Sequence, residues 1–315
     1  MLLSLVVCTY NRAELLRQCL SDVTGQLIRN DECELVVVNN NSTDNTAGVA
    51  RLFAERFPRV RVVAEPNQGL SHARNRGWQA ASGEYVAYID DDCRVPSHWM
   101  ATAQKIIRTV SPMVFGGPYV ADIGSFRPRW FKDSYASFTL GEKARPIKAN
   151  EFISGMNIVF RRSLLQSLGG FRPDLGMQGA EIGYGEEVEL LRRVQATHAE
   201  GIIYYDPKFY VFNVVRPCKM TISWIMKSRF ASGRYYYRQH KSVTPQVAGK
   251  ILLLRRMVYT TRLLLADLVC ALFLRDRSRY PYVQNYLIEC VFPHVLMLGC
   301  LFEEYRNTSN SLGQR

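Results

Sequence analysis

The sequence predicts an α/β architecture, a mostly parallel sheet flanked by helices and followed by a helical C-terminal extension. Three observations carry this expectation. Short apolar runs rich in Val and Ile alternate with helix-like stretches through the first half of the chain. A polar cluster follows each apolar run at once, as happens where loops converge at the carboxyl ends of parallel strands. From about residue 216 the alternation stops, and long apolar helical faces with basic flanks replace it.

Leu3–Cys8 is expected as the first strand. The run from Met1 to Cys8 is too short for a signal peptide, lacks a basic n-region and meets Thr9-Tyr10-Asn11-Arg12 directly. A helix over Ala13–Val23 leads to a strand at Glu34–Val38, and Asn39-Asn40-Asn41-Ser42-Thr43-Asp44 follows it. Ser42 or Asp44 would cap the next helix, Thr46–Phe57. Val60–Ala64 is the third strand, trailed by Glu65-Pro66-Asn67-Gln68-Gly69, and Leu70–Ala81 the third helix. Tyr85–Ile89 is the fourth strand and runs into Asp90-Asp91-Asp92. Residues 112–150, with several Gly and Pro and the pair Trp130-Phe131, are expected as loops with an edge strand. Helices are then expected at 218–240, 247–274 and 281–305, with a disordered polar tail over 306–315. Arg255, Arg256, Arg262 and Asp267 interrupt 251–274, and Glu289 and His294 interrupt 283–302, so no spanning helix is expected; peripheral membrane contact stays open.

With 47% hydrophobic and 22% charged residues in 315, the chain is neither collagen-like, disulfide-dense nor wholly disordered. Its eight cysteines are scattered, without a C-x-x-C pair or zinc-like spacing, which suits reduced thiols in a cytoplasmic protein. Charge is the one unusual quantity. The net +12 divides into −1 over residues 1–125 and +13 over 126–315, and residues 207–266 hold 12 Lys or Arg and no carboxylate.

Two constellations point to chemistry. Three adjacent carboxylates at a strand end repel one another unless a cation neutralises them, and oxygen ligands favour Mg2+ or Mn2+ over zinc. Such an ion would also grip a diphosphate and stabilise its departure. A solvated acidic turn is the plain alternative for Asp90-Asp91-Asp92. The second is Gly183-Tyr184-Gly185-Glu186-Glu187, with acids at the start of a helix. The helix dipole alone favours acids there; a carboxylate poised as general base for a hydroxyl is the functional reading.

Taken together, the motifs carry a resemblance. Val6-Val7-Cys8-Thr9-Tyr10-Asn11-Arg12, Val36-Val37-Val38-Asn39-Asn40-Asn41-Ser42-Thr43-Asp44, Asn67-x-Gly69-x-Ser71-x-Ala73-Arg74-Asn75-x-Gly77 and Tyr88-Ile89-Asp90-Asp91-Asp92 look like family 2 glycosyltransferases of the GT-A fold. Ser154-Gly155-Met156-Asn157, Gly169-Gly170-Phe171 and Gly185-Glu186-Glu187-x-x-Leu190 resemble the acceptor-side motifs of that family in the same order. The resemblance implies a GT-A domain over 1–215, with a nucleotide-sugar half (1–110) and an acceptor half (111–215), then a basic amphipathic extension (216–305) and the tail. It implies inverting transfer from a nucleotide-diphosphate sugar, most often a uridine one, to a hydroxyl of a glycan or lipid-linked acceptor, with Mn2+ or Mg2+ as cofactor. By position, Thr9, Tyr10, Asn11, Arg12, Asn39, Asn40, Asn67, Arg74, Asp90, Asp91, Gly155 and Asn157 would contact the donor, with Thr9 and the Asn39-Asn40 loop facing the base. Asp90 and Asp92 would form the metal-binding pair, Asp92 ligating directly. Glu187 stands where the family usually has an aspartate base, which leaves the base to Glu186 or Glu187. Asn39-Asn40 likewise stand where aspartates are common; an asparagine accepts through its carbonyl oxygen and adds an NH2 donor. Asn41 reads equally well as an Asx-turn.

The basic segment, with Lys219, Lys227, Arg229, Arg234, Arg238 and Lys241 beside Trp224 and Tyr235-Tyr236-Tyr237, lacks any accompanying nucleic-acid motif, and nucleic acid is not the expected partner. An anionic membrane surface or an acidic acceptor fits better, with a solvated basic face as the plain alternative. A GT-A scaffold that binds a nucleotide or sugar without catalysis is the competing function; retention of both acidic constellations argues for the enzyme.

Overall fold

The computed structural model describes residues 1–198, 201–240 and 249–312, with side chains to residue 308. The chain divides into two compact units. The first comprises Met1–Gly124, Asp133–Ala180 and Glu186–Val215; the second comprises Ser125–Lys132, Glu181–Gly185 and Arg216–Arg315.

The first unit opens with β1 (Leu3–Thr9), α1 (Ala13–Leu27), β2 (Cys33–Asn39), α2 (Thr46–Arg56), β3 (Val60–Ala64), α3 (Leu70–Ala80) and β4 (Tyr85–Asp90). These are the expected elements, with α1 one turn longer than the sequence suggests. The N-cap position of α2 is Asn45, without a side-chain cap; Asp44, one residue earlier, accepts from the Thr46 N–H through Oδ1 at 2.9 Å, and Ser42 Oγ accepts from the Asn11 N–H, so neither expected residue holds the cap position itself. There follow β5 (Cys93–Arg94), α4 (Trp99–Val110), β6 (Val114–Gly116), β7 (Tyr119–Asp122), β8 (Arg145–Pro146), β9 (Asn157–Arg161), α5 (Arg162–Leu168), α6 (Glu186–Thr197), β10 (Ile203–Tyr205) and β11 (Val211–Val214). The main sheet runs β3-β2-β1-β4-β9-β6-β10-β8, and a second sheet runs β5-β11-β7. Strands β3, β2, β1 and β4 are mutually parallel; β9 lies antiparallel between β4 and β6. Residues 112–150 supply the expected edge strand, as β8 in the main sheet and β7 in the second, and also an interior strand, β6, whose three residues are too few to show a period.

Strand residues alternate between two apolar layers. Leu3, Leu5, Val7, Leu35, Val37, Tyr85 and Ala87 face one, with side chains from α1 and α4; Val6, Val36, Val38, Val86 and Tyr88 face the other, with side chains from α3, α5 and α6. Burial on both faces is why the sequence shows continuous apolar runs here instead of an in-out pattern. Gly77 lets α3 approach the sheet, because a Cβ there would meet Val6 Cγ1 at 2.4 Å.

In the second unit, a 3-10 turn at Pro217–Met220 precedes α7 (Ile222–His240). Helix α8 (Lys250–Val269) continues as a π-turn over Cys270–Leu274, then come α9 (Val283–Tyr286), a second π-turn over Leu287–Val291, and α10 (Phe292–Leu312). Helices α7 and α10 cross at reciprocal glycines: a Cβ on Gly233 would lie 1.8 Å from the Leu296 carbonyl oxygen, and one on Gly299 2.1 Å from that of Phe230. Glu303, buried on α10, accepts from Arg234 at 2.9 Å and Arg238 at 2.8 Å on α7. The polar stretch from 306, expected to be disordered, instead extends α10 as far as Leu312; Asn307 and Thr308 donate back to the carbonyls of Glu303 and Glu304, a local option that polar side chains have within a helix. Among the described residues Lys250–Leu274 and Val283–Thr308 are long and apolar enough to cross a membrane, with mean hydropathy 1.7 and 1.5.

Candidate active site

Strands β2, β1 and β4 are adjacent, and their register sets Thr9 level with Asn39 and Cys8 level with Asp90. The polar loops therefore emerge together at one sheet edge, as expected for open parallel sheets. A cleft of about 560 Å3, open to solvent, lies there. Thr9, Tyr10, Arg12, Asn40, Asp90 and Asp91 line it. So do Gln68, Met177 and Gly179, which the sequence reading missed. The segment holding the last two is laid on the start of α3, with Leu70 N–H donating to the Met177 carbonyl and Ser71 Oγ to that of Leu175, both at 2.8 Å. More than a hundred residues separate these partners, and only the glycines at 176 and 179, both at positive φ, hinted at a turn there.

The three aspartates meet two arginines. Arg12 Nη1 lies 2.5 Å from Asp91 Oδ1 and 3.3 Å from Asp92 Oδ2, and both carboxylates are buried. Burial works against the Arg12 charge, but Asp91 and Asp92 outweigh it and hold the guanidinium above its usual range. Asp90 keeps 30% of its side chain exposed and faces Arg74 Nη2 at 3.4 Å. Crowding by the surrounding protein raises Asp90 to about 6 against the pull of Arg74, and Asp92 and Asp91 add to the rise.

Arg74 is the hub of the site. Its buried guanidinium reaches Glu186 Oε1 at 2.5 Å, Asp90 at 3.4 Å and the Gly155 carbonyl at 3.1 Å, and lies over the rings of Tyr88 and Phe171. Gly155 has no side chain because a Cβ would stand 2.8 Å from the guanidinium nitrogens. Glu186 and Glu187 open α6. Burial raises Glu186 to about 8, and Glu187 adds to it, in opposition to Arg74. Glu187 Oε1 receives a long contact of 3.4 Å from the Gly155 N–H, and its Oε2 is buried with no hydrogen-bond partner among the described residues.

Several expected donor contacts have other duties. Asn40 Nδ2 donates to the carbonyls of Glu65 and Asn67, and its Oδ1 accepts from the Gly69 N–H at 2.8 Å and from Gln68. Its amide thus ties β2 to the loop before α3 while the residue lines the cleft. Asn39 Oδ1 accepts from the Ser42 N–H. Asn11, at φ 50°, binds the backbone of Thr43 and Asp44 and holds the loop before α2. Asn67 is exposed and donates its N–H to Glu65. Asn157 is fully buried, between the Trp99 indole N–H and the Phe209 carbonyl, and serves the scaffold in place of a ligand.

Among the described residues, no group of three or more His, Cys, Asp or Glu side chains is arranged to enclose a metal ion. The donor set nevertheless fits a hard divalent cation. Its ligands would be carboxylate oxygens, and the crowded negative charge at Asp90 is of the kind that such an ion relieves. Mg2+ typically takes only one or two carboxylates and completes its shell with water and substrate phosphates.

Comparison with known proteins agrees with this geometry. The chain is 26% identical over 236 residues to the succinoglycan biosynthesis protein ExoM of Rhizobium meliloti, covering 74% of this chain and 73% of that one. It is 27% identical over 223 residues to the glycosyltransferase GlyA of Streptococcus pneumoniae, covering 67% of this chain but only 30% of that longer protein. Among solved structures, a mannosyltransferase of Pyrobaculum calidifontis in complex with GDP-Man and Mn2+ superposes with a TM-score of 0.58 at 19% identity, over 99% of this chain and 87% of that one. TarS of S. aureus in complex with UDP-GlcNAc gives 0.53 at 17% identity, over 98% and 92%. These likenesses establish the GT-A fold. The profile of "Glycosyl transferase family 2" matches residues 4–169. A large sheet with its polar loops gathered at one edge, and a family match spanning more than half the chain, make this protein a member of glycosyl transferase family 2.

Proposed function

We propose that this glycosyltransferase moves a sugar from a nucleoside-diphosphate sugar, with uridine as the base, to a hydroxyl of a glycan or lipid-linked acceptor, inverting the anomeric carbon. The observation that carries the reading is Arg74, one buried guanidinium in contact with Asp90 on the donor side and Glu186 beside the candidate base. That contact draws the two acidic constellations, ninety-odd residues apart in sequence, into one site.

Glu187 is assigned as the base. Glu186 is engaged by Arg74, whereas Glu187 Oε2 has no partner among the described residues to give up before taking a proton. The acceptor hydroxyl gives its proton to Glu187 as its oxygen attacks the anomeric carbon from the face opposite the diphosphate, so the C–O bond to the leaving group breaks as the new one forms. Asp90 and Asp92 would hold the divalent ion, Mn2+ or Mg2+, whose chemistry is to neutralise charge on the departing diphosphate. Arg12 fixes Asp91 and Asp92, and Arg74 holds Glu186 in place.

Transfer or hydrolysis measured over a panel of nucleotide sugars, with and without Mn2+, tests the reading and identifies the donor. Glu187→Gln should lower turnover about 10²–10⁴-fold, the usual contribution of a general base, while leaving donor affinity unchanged. Asp92→Ala should abolish metal-dependent turnover. Full activity in either variant would overturn the assignment.

A further inference from the structure

The helix formed by α8 and its π-turn, Lys250–Leu274, is buried along one narrow strip and bare round the rest of its circumference, where Leu252, Tyr259 and Leu263 are also exposed. Leu253, Thr260 and Ala271 are buried. On the other side Ile251, Val258 and Leu265, seven residues apart and therefore nearly in line along α8, are 71%, 53% and 55% exposed, and Leu272 and Phe273 on the π-turn are 62% and 77% exposed. Arg255 and Arg262 run along the edge of this apolar row and share a shallow groove with Ile251 and Val258. Arg275, Arg277 and Arg279 follow its far end. An exposed apolar row of this extent on a soluble domain marks a surface that meets something.

We propose that this face lies in the plane of an anionic lipid surface, its apolar row sunk among the acyl chains and its arginines lifted to the lipid phosphates. Charge identifies the occupant. Between residues 250 and 274 the one carboxylate is Asp267, and His294 Nε2 holds it at 2.8 Å. A second copy of the chain laid face to face would set arginine against arginine with no acid to receive either. Lipid phosphates supply the missing anions, and long arginine side chains reach them while leaving their stems in the apolar layer. A crossing orientation is disfavoured by Arg262, the thirteenth of the 25 residues in Lys250–Leu274, which would come to rest near the bilayer centre, where a guanidinium is costly. In the plane, every arginine stays at headgroup level.

The test uses the full-length protein and vesicles of phosphatidylcholine alone or mixed with phosphatidylglycerol, followed by sedimentation. Binding to the mixed vesicles should be about tenfold tighter or more than to the neutral ones, and high salt should weaken it. The double variant Arg255→Glu with Arg262→Glu should remove that preference, and Phe273→Asp should lower binding to both vesicle types. These side chains are exposed, so the variants should melt like the parent protein. No binding to either vesicle, or equal binding to both, overturns the proposal, as does a parental dimer that Leu265→Asp turns into a monomer. Protein that stays with the vesicles through an alkaline carbonate wash would be spanning them, and that also overturns it. Donor and acceptor are absent throughout, so the result is independent of whether the proposed transfer occurs.

Discussion

At the scale of single residues, the site is governed by how few charges have to satisfy many. Arg74 serves Glu186, Asp90 and a backbone carbonyl at once, and even so Glu186 is held near 8 by burial and by Glu187. The pH consequence has a definite sign. A carboxyl whose folded pKa lies above its unfolded value binds its proton more tightly when folded. Its stabilising share is whole below about pH 4.5 and lost as pH rises through about 8. Glu186→Gln cannot ionise, so denaturant titrations from pH 5 to 9 should show the parent losing stability relative to the variant, by roughly 1 kcal/mol per pH unit at most. A gap that does not move with pH would mean that Glu186 is ionised throughout. The same scale explains what the sequence could and could not disclose. Thr9, Arg12, Asp90 and Asp91 line the cleft as their motif positions suggest, because strand ends are legible and loops begin where strands stop. Asn157 lies beyond a local reading, because an asparagine placed to meet a ligand and one placed to meet a carbonyl look alike until the carbonyl is seen.

At the scale of elements, the fit of α3 against β1 rests on one missing methyl group. Gly77→Ala would by propensity favour the helix by about 1 kcal/mol. Its Cβ would stand 2.4 Å from Val6 Cγ1, on a β-branched side chain in a buried strand that has nowhere to turn. Overpacking of this kind costs about 1–3 kcal/mol, so the variant should lose up to about 2 kcal/mol net, read as a lower denaturation midpoint with an unchanged slope. A more stable variant would show that α3 is free to slide outward. The elements legible in the sequence, β1 to β4 and α1 to α3, each span five residues or more, but length alone does not make an element legible, since the twelve-residue α4 is not among them. Strands β6, β8 and β10, of two or three residues, exist because neighbours on the sheet supply their partners, and no local pattern announces them. Strand β9 contributed its asparagine to a motif without showing that it reverses the direction of the sheet.

At the scale of the whole molecule, the division between units does not follow the chain. The second unit begins in earnest at Arg216 but also takes Ser125–Lys132 and Glu181–Gly185. Within it Lys132 pairs with Glu289 at 2.6 Å, Asn285 donates to the Trp130 carbonyl at 2.6 Å, and Tyr184 bonds Ser228 at 2.7 Å. A protein cut after Val215 should therefore be nicked by protease within 125–132 and 181–185, where the parent resists; equal resistance would mean that these segments hold themselves. Charge and composition mark out a basic third in the sequence, but contacts across 157 residues leave no trace in a local reading.

The pairing of Lys132 with Glu289 also has a meaning in time. A ribosome adding about 5–20 residues each second delivers Glu289 roughly 8–30 s after Lys132. Throughout that interval the 125–132 segment hangs from a sheet whose early strands have already emerged, and its partner helices have yet to be made. The Lys132–Glu289 contact within the second unit can therefore form only after the chain has been made past residue 289.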